Sequence, residues 1–218
     1  YRIGPPQKPD IEWDEDYIYN SEDGGFGDWI SKEKWLAKHD GARLLRWDLK
    51  DALDAYAHYW SNTGDDWAFD YEKAYRDDAG VRASIDEEIV LAQQAADELA
   101  SGGNTSFQFT GNATATSQAH YAQTENWQKT IGGHQQWASG DVTVKDGAAT
   151  MVVTVHGEDR YNFNRGQSDI ESGAPDDENG RFTEIGGAKP FDSRGSDPRA
   201  GTCSVGAPGY ATASARPE

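Results

Sequence analysis

Asp141-Val142-Thr143-Val144-Lys145-Asp146-Gly147-Ala148-Ala149-Thr150-Met151-Val152-Val153-Thr154-Val155 decides the class of fold. Val142 and Val144 alternate with polar residues, and Met151, Val153 and Val155 resume the alternation after Lys145-Asp146-Gly147. A period of two places alternate residues on one face of a strand, and a D-G pair between two such runs signals a tight hairpin. Phe107 and Phe109 upstream show the same period, as do Tyr161 and Phe163 in what reads as a further strand. Phe182 and Ile185 lie in a stretch too short to assign.

Toward the N terminus the period becomes helical. Ser31 caps a first run whose apolar face opens with Trp35 and Leu36, and Gly41 breaks it. Leu44, Leu45, Trp47, Leu49, Ala52, Leu53, Tyr56, Tyr59 and Trp60 then recur at helical spacing, with Asn62 and Gly64 as a stop. A second run carries Trp67, Phe69, Tyr71 and Tyr75 and is interrupted at Gly80. The third is the clearest: Ser84 and Glu87 form an S-x-x-E capping box, Ile85, Ile89, Leu91, Ala92, Ala95, Ala96 and Leu99 make a stripe, and Gly102-Gly103 end it. The fold class is therefore α+β, a helical N-terminal half followed by a small antiparallel β-barrel or sandwich. Three sections follow: residues 1–103, an extended arm plus the helical segment; 104–192, an antiparallel β domain; and 193–218, a flexible tail of Gly, Ala, Ser and Pro. The arm, Tyr1 to about Asp28, is polar, with Ile11, Trp13, Tyr17 and Ile18 as anchors.

Composition removes several classes of function. The chain has 218 residues, enough for a real core. Lys+Arg number 20 against 38 Asp+Glu, a net charge of −18. That argues against a nucleic-acid backbone binder and against a polybasic membrane anchor. A single cysteine, Cys203, leaves no internal disulfide or Cys-rich zinc module. No apolar run approaches the roughly 20 residues of a membrane span. The chain opens at Tyr1 without a basic and then apolar leader, and reads as a mature or excised segment.

Known motifs are sparse. The five histidines, His39, His58, His120, His134 and His156, never stand at i, i+4, so no helical zinc pair is present. Gly24, Gly25 and Gly27, and Gly132-Gly133, match no phosphate or dinucleotide loop and read as turns. The acidic runs Asp14-Glu15-Asp16, Asp65-Asp66, Asp77-Asp78 and Asp176-Asp177-Glu178 fit no calcium loop in register and read as solvated surface. Eight tryptophans and ten tyrosines stand in for the scarce Leu, Ile and Val of the core, or face a partner or carbohydrate.

The segment from His156 to Asp192 is dense in charged and amide groups. Asp159 and Tyr161 share the inner face set by Met151, Val153 and Val155; Arg160 and Asn162 point the other way. Asp159, Tyr161, Asn162 and Arg165 are the candidate site residues. In one reading Asp159 and Asn162 bind substrate or metal at a strand end. In the other, these groups tie down a loop. On the structural reading Asp159 is wholly or partly buried and accepts hydrogen bonds from backbone N–H groups or from Arg165 or Arg181.

The block from Thr124 to Trp137, with Glu158 to Ile170 and Asp177 to Asp192, resembles a C-terminal domain of polymorphic-toxin and related secreted proteins of actinobacteria. The resemblance spans about Ser106 to Asp192. A narrower one is carried by Asp159-Arg160-Tyr161-Asn162-Phe163-Asn164, which is similar to the D-x-Y-D-F-N motif of the colicin M bacteriocins. That family cleaves lipid II and needs magnesium. Asp159 and Tyr161 match, Asn162 replaces the second acid, and Ser168 and Asp169 stand where the family has His and Arg. Together the resemblances imply a secreted bacterial toxin or effector of unknown target, met by an immunity protein. The rival expectations are a non-catalytic module held among the subunits of an extracellular assembly, and a colicin M-like phosphodiesterase, under which alone magnesium is implied.

Overall fold

The structure is a computed structural model and describes residues 1–145, 148–168, 173–204 and 214–215. It is mixed α+β. The helices are α1 (Phe26–Leu45), α2 (Lys50–Ser61), α3 (Tyr71–Asp77), α4 (Ala79–Ser101), α5 (Glu125–Thr130) and α6 (Asp176–Glu184). The strands are β1 (Arg2–Ile3), β2 (Trp67–Ala68), β3 (Ser106–Thr110), β4 (Thr114–Ala115), β5 (Gln135–Lys145), β6 (Ala148–Tyr161), β7 (Phe191–Ser204) and β8 (Ser214–Ala215).

The hairpin read from the sequence is the centre of the sheet. β5 and β6 pair antiparallel from Gln135↔Glu158 to Lys145↔Ala148, with Val142 opposite Met151. Its turn residues, Asp146 and Gly147, lie outside the described residues. The order is β1-β3-β5-β6-β7-β2, with β4 on β5 and β8 on β7. β1 and β2 end this path without pairing each other, so the described strands form one open sheet, not the expected closed barrel or two-sheet sandwich. The helices supply the second layer instead. Val81, Ile85, Ile89, Ala92 and Ala96 of α4 share one core with Phe107, Phe109, Val142, Met151, Val153 and Val155 of the sheet.

Other expectations are corrected. Residues 193–204, read as loose tail, form most of β7 and pair with β6 along their length. Their small side chains have a physical cause. A Cβ on Gly195 would come within 2.5 Å of the Phe69 ring, and one on Gly157 opposite would meet Tyr71 at 3.0 Å. Aromatic residues of the helical half lie across the sheet there, and only glycine admits them. Helix α1 starts at Phe26, not at Ser31: Asp28 accepts a hydrogen bond from the Gly25 N–H at 2.9 Å, and the helix runs on through Gly41. Helix α4 starts at Ala79, capped by Asp78. Ser84 lies inside it and donates its hydroxyl to Gln136. Trp67 belongs to β2, parallel to β7. Tyr161 ends the long β6 rather than starting another strand, and Phe163 lies beyond it. The stops at Asn62, left-handed at φ 62°, and at Gly102-Gly103 are where the sequence places them.

The polar arm docks on the outer face of the sheet. Lys8 pairs with buried Glu158 at 2.7 Å, Glu15 with Arg160 at 2.6 Å, and Tyr17 donates its hydroxyl to Asp177 at 2.6 Å. Tyr17 is buried, but Ile18, expected as an anchor, is exposed.

Candidate functional site

The inner face of β6 changes character along its length. Ala149, Met151, Val153 and Val155 lie under the α3–α4 layer, and Gly157 lies under Tyr71. The parity then places Asp159 and Tyr161 beyond the edge of that layer. There α1, α2, α5, the loop after β6 and the start of α6 surround an open cleft of about 940 Å³ instead of a filled core.

One wall is held by a buried carboxylate. Asp78 caps α4 by accepting from the Val81 N–H at 3.0 Å. Its second oxygen accepts from the N–H groups of Gln123 and Thr124 and from the Thr124 hydroxyl, at 2.9, 2.7 and 2.8 Å. This clamp fixes the chain entering α5, which carries Glu125 and Lys129, paired at 2.8 Å, into the cleft wall. The opposite wall is held by Tyr56, which donates to Asn179 Oδ1 at 2.6 Å, and by Tyr59, which donates to the Asn179 carbonyl at 2.8 Å.

Asp159 lines the cleft and keeps an accessible side. Burial raises its pKa from the usual 3.8 to about 8; the Arg160 N–H favours the charged form and the nearby Asp192 carboxylate opposes it. The expected burial and backbone donor are both present, the donor being the Arg160 N–H; of the alternatives named, neither Arg165 nor Arg181 is bonded to it. Arg165 pairs with Glu184 at 2.5 Å and lies over the Tyr17 ring at 4.3 Å. Arg181 binds Glu22, Asp28 and Glu184. Both arginines are drawn to the acids of the arm, α1 and α6, which outnumber them.

Tyr161 stacks on Phe191, its partner across the strands, with centroids 4.9 Å apart and planes 7° from parallel. Its hydroxyl is pushed well above the ordinary phenol range, first by burial and then by Tyr56, Tyr59, Asp159 and Asp176. Asp159, Asp176, Tyr56 and Tyr161 line the cleft, and Tyr59, whose ring centroid is 6.0 Å from that of Tyr161, is fully buried. Asn162, just past the end of β6, donates its side-chain amide to the Asp14 carbonyl at 2.6 Å, and both residues line the cleft. All four candidate residues line the cleft. The side chains of Asn162 and Arg165 hold the arm and α6.

The sequence reading missed Asp176, Lys129, Tyr56 and Asn179, all lining residues. Asp176 accepts from the Asn164 N–H at 3.2 Å, and its neighbour Asp177 accepts from the Gly166 N–H at 2.9 Å. The acidic run at the start of α6 therefore ties down the loop after β6, while Asp177 and Glu178 stay exposed, as the solvated reading expected. Its position at a helix N-terminus was the available signal. Among the described residues, no three or more His, Cys, Asp or Glu side chains are grouped to hold a metal ion.

No family model, no curated protein and no solved structure matches this chain.

Proposed function

We propose that the chain is an exported effector of competition between bacteria, a toxin component, and that its cleft carries out acid–base hydrolysis on the target. The observation behind this reading is the setting of Asp159. A carboxyl that only braced a turn would be satisfied by donors, as Asp78 is by four. Asp159 instead opens onto a cleft with burial working against its charge and, among the described residues, no cationic side chain bonded to it. Such a group costs stability, and sites of this kind concentrate where chemistry needs them. Below pH about 8 Asp159 holds a proton that it can donate to a leaving oxygen. Asp176, a second carboxyl that lines the cleft and helps raise Tyr161, supplies the partner carboxyl that takes a proton from water. An immunity protein would act by filling the cleft.

The colicin M-like reading shares Asp159 and Tyr161 but needs magnesium. The described residues offer no three-ligand group for it, so no step is derived through the metal. Asp169 of that comparison lies outside the described residues. The reading as an assembly module drew on the long arm, which could wrap a neighbour. That arm is bonded to the chain's own sheet.

The test is expression without an immunity protein, in the cytoplasm and in the periplasm. Growth arrest in one compartment, relieved by Tyr161→Phe, is expected. Unimpaired growth in both would sink the toxin reading.

A further inference from the structure

Half of the twelve large apolar side chains exposed among the described residues belong to α1 and the 3-10 turn after it, Trp47–Leu49. Phe26, Leu44, Leu45 and Trp47 are 84%, 86%, 78% and 88% exposed, and Trp29 and Ile30 also stand in solvent. Phe26 and Leu44 are eighteen residues apart, five full turns, so they stand on one line of the helix. Ile30 and Ala37 fall within about 40° of that line at about 100° per residue. The face is thus apolar at both ends of a helix about 30 Å long.

Its flanks are charged unequally. Lys34 and Lys38 share one flank with Leu45, and Arg43 and Arg46 bracket Leu44 and Leu45; Glu33 and Asp40 fall within about 40° of the line itself, between its two apolar ends. From Phe26 to Lys50 there are six Lys and Arg against four Asp and Glu, in a chain of net charge −18. The basic groups of the corner are held by ion pairs at the surface, Arg43 with Asp54 at 3.1 Å and Arg46 with exposed Asp48 at 2.8 Å and part-buried Glu125 at 2.6 Å. Pairs of this kind contribute little and yield to a competing anion.

We infer that this face docks on an anionic lipid bilayer, with α1 lying in the plane of the interface. Trp47, Leu44 and Leu45 enter the boundary between headgroups and acyl chains at one end, and Phe26, Trp29 and Ile30 at the other. Lys34, Lys38, Arg43 and Arg46 meet the lipid phosphates. An amphipathic helix with Trp, Phe and Leu on one face and basic groups beside them binds membranes in this way without spanning them. No helix among the described residues is long and apolar enough to cross a membrane. The overall negative charge, which argued against a membrane anchor, is not shared by the segment from Phe26 to Lys50, with its six basic groups against four acids. Lys38 and Arg46 also line the cleft, so docking would bring the cleft mouth to the bilayer surface. The inference does not depend on what the cleft does.

The test is flotation of the whole chain with vesicles of phosphatidylcholine, with and without phosphatidylglycerol. Binding is expected on the anionic vesicles and should fall steeply without the anionic lipid or at high salt. The triple variant Leu44→Ser, Leu45→Ser, Trp47→Ser should lose more than about tenfold in partitioning while melting as the wild type does. Lys34→Glu with Lys38→Glu should weaken binding with the apolar residues intact. Failure of the wild type to float with anionic vesicles would overturn the inference. So would sedimentation as a dimer that the triple variant makes monomeric, since a second copy would then cover the face.

Discussion

Replacing Asp159 by Asn removes a titratable group and keeps its shape. Folded Asp159 holds its proton to pH about 8, whereas the unfolded side chain loses it near the usual 3.8. Between these values the native state binds the extra proton, so this residue makes stability fall as pH rises. The gap of about four pH units corresponds to roughly 5–6 kcal/mol at 1.36 kcal/mol each. The carboxyl borders a cleft open to solvent, and screening there reduces the figure to about 2–3 kcal/mol. Asp159→Asn should therefore match the wild type at pH 4 and exceed it by about 2–3 kcal/mol at pH 9. In urea that is a midpoint higher by about 1 M. Paired unfolding curves at the two pH values measure it. A variant less stable than the wild type at pH 9, or a difference that does not change with pH, would refute the claim that this carboxyl is buried without compensation.

The other predictions concern the frame of the cleft and its pH dependence. Asp78→Ala strands four donors and uncaps α4, and should cost about 3–5 kcal/mol by chemical denaturation. In Gly180→Ala the new Cβ runs into the Tyr17 ring. The arm should lift, with a loss of about 1–3 kcal/mol and rapid proteolytic cleavage before Asn20. Burial lowers His134 and His156 from 6.5 to about 4, so each loses stability as pH falls through that window, while Asp159 and Glu88, raised to about 8 and about 7, gain it. The melting temperature should hold nearly level from pH 4.5 to 6.5 and then decline toward pH 8; a steady rise across pH 6.5–8 would contradict these assignments.

The hairpin and the inner-face parity of Asp159 and Tyr161 were legible because a period of two survives along both strands. β7 was not. Its inner positions include Ser193, Gly195 and Asp197, kept small or polar by Phe69 above the sheet and by Arg199, which pairs with Asp197 at 2.6 Å. Gly41 misled because nothing beyond its own stretch of helix lies within 4 Å of where its Cβ would stand, so only the roughly 1 kcal/mol of glycine's helix penalty opposes the helix. Ser84-x-x-Glu87 matched a capping pattern whose serine serves Gln136 instead. The far walls of the cleft were out of reach. Tyr56 meets Asn179 across 123 residues, and Asp78 meets Thr124 across 46, and neither pairing leaves a local trace.

The most direct test follows viability and stability in one variant. Asp159→Asn, exported to the periplasm and also made in the cytoplasm, should lose all growth inhibition while its purified form unfolds at higher urea than the wild type at pH 8. Growth inhibition equal to that of the wild type, or a loss of inhibition accompanied by a loss of stability, would contradict the assignment of Asp159 to chemistry in the cleft.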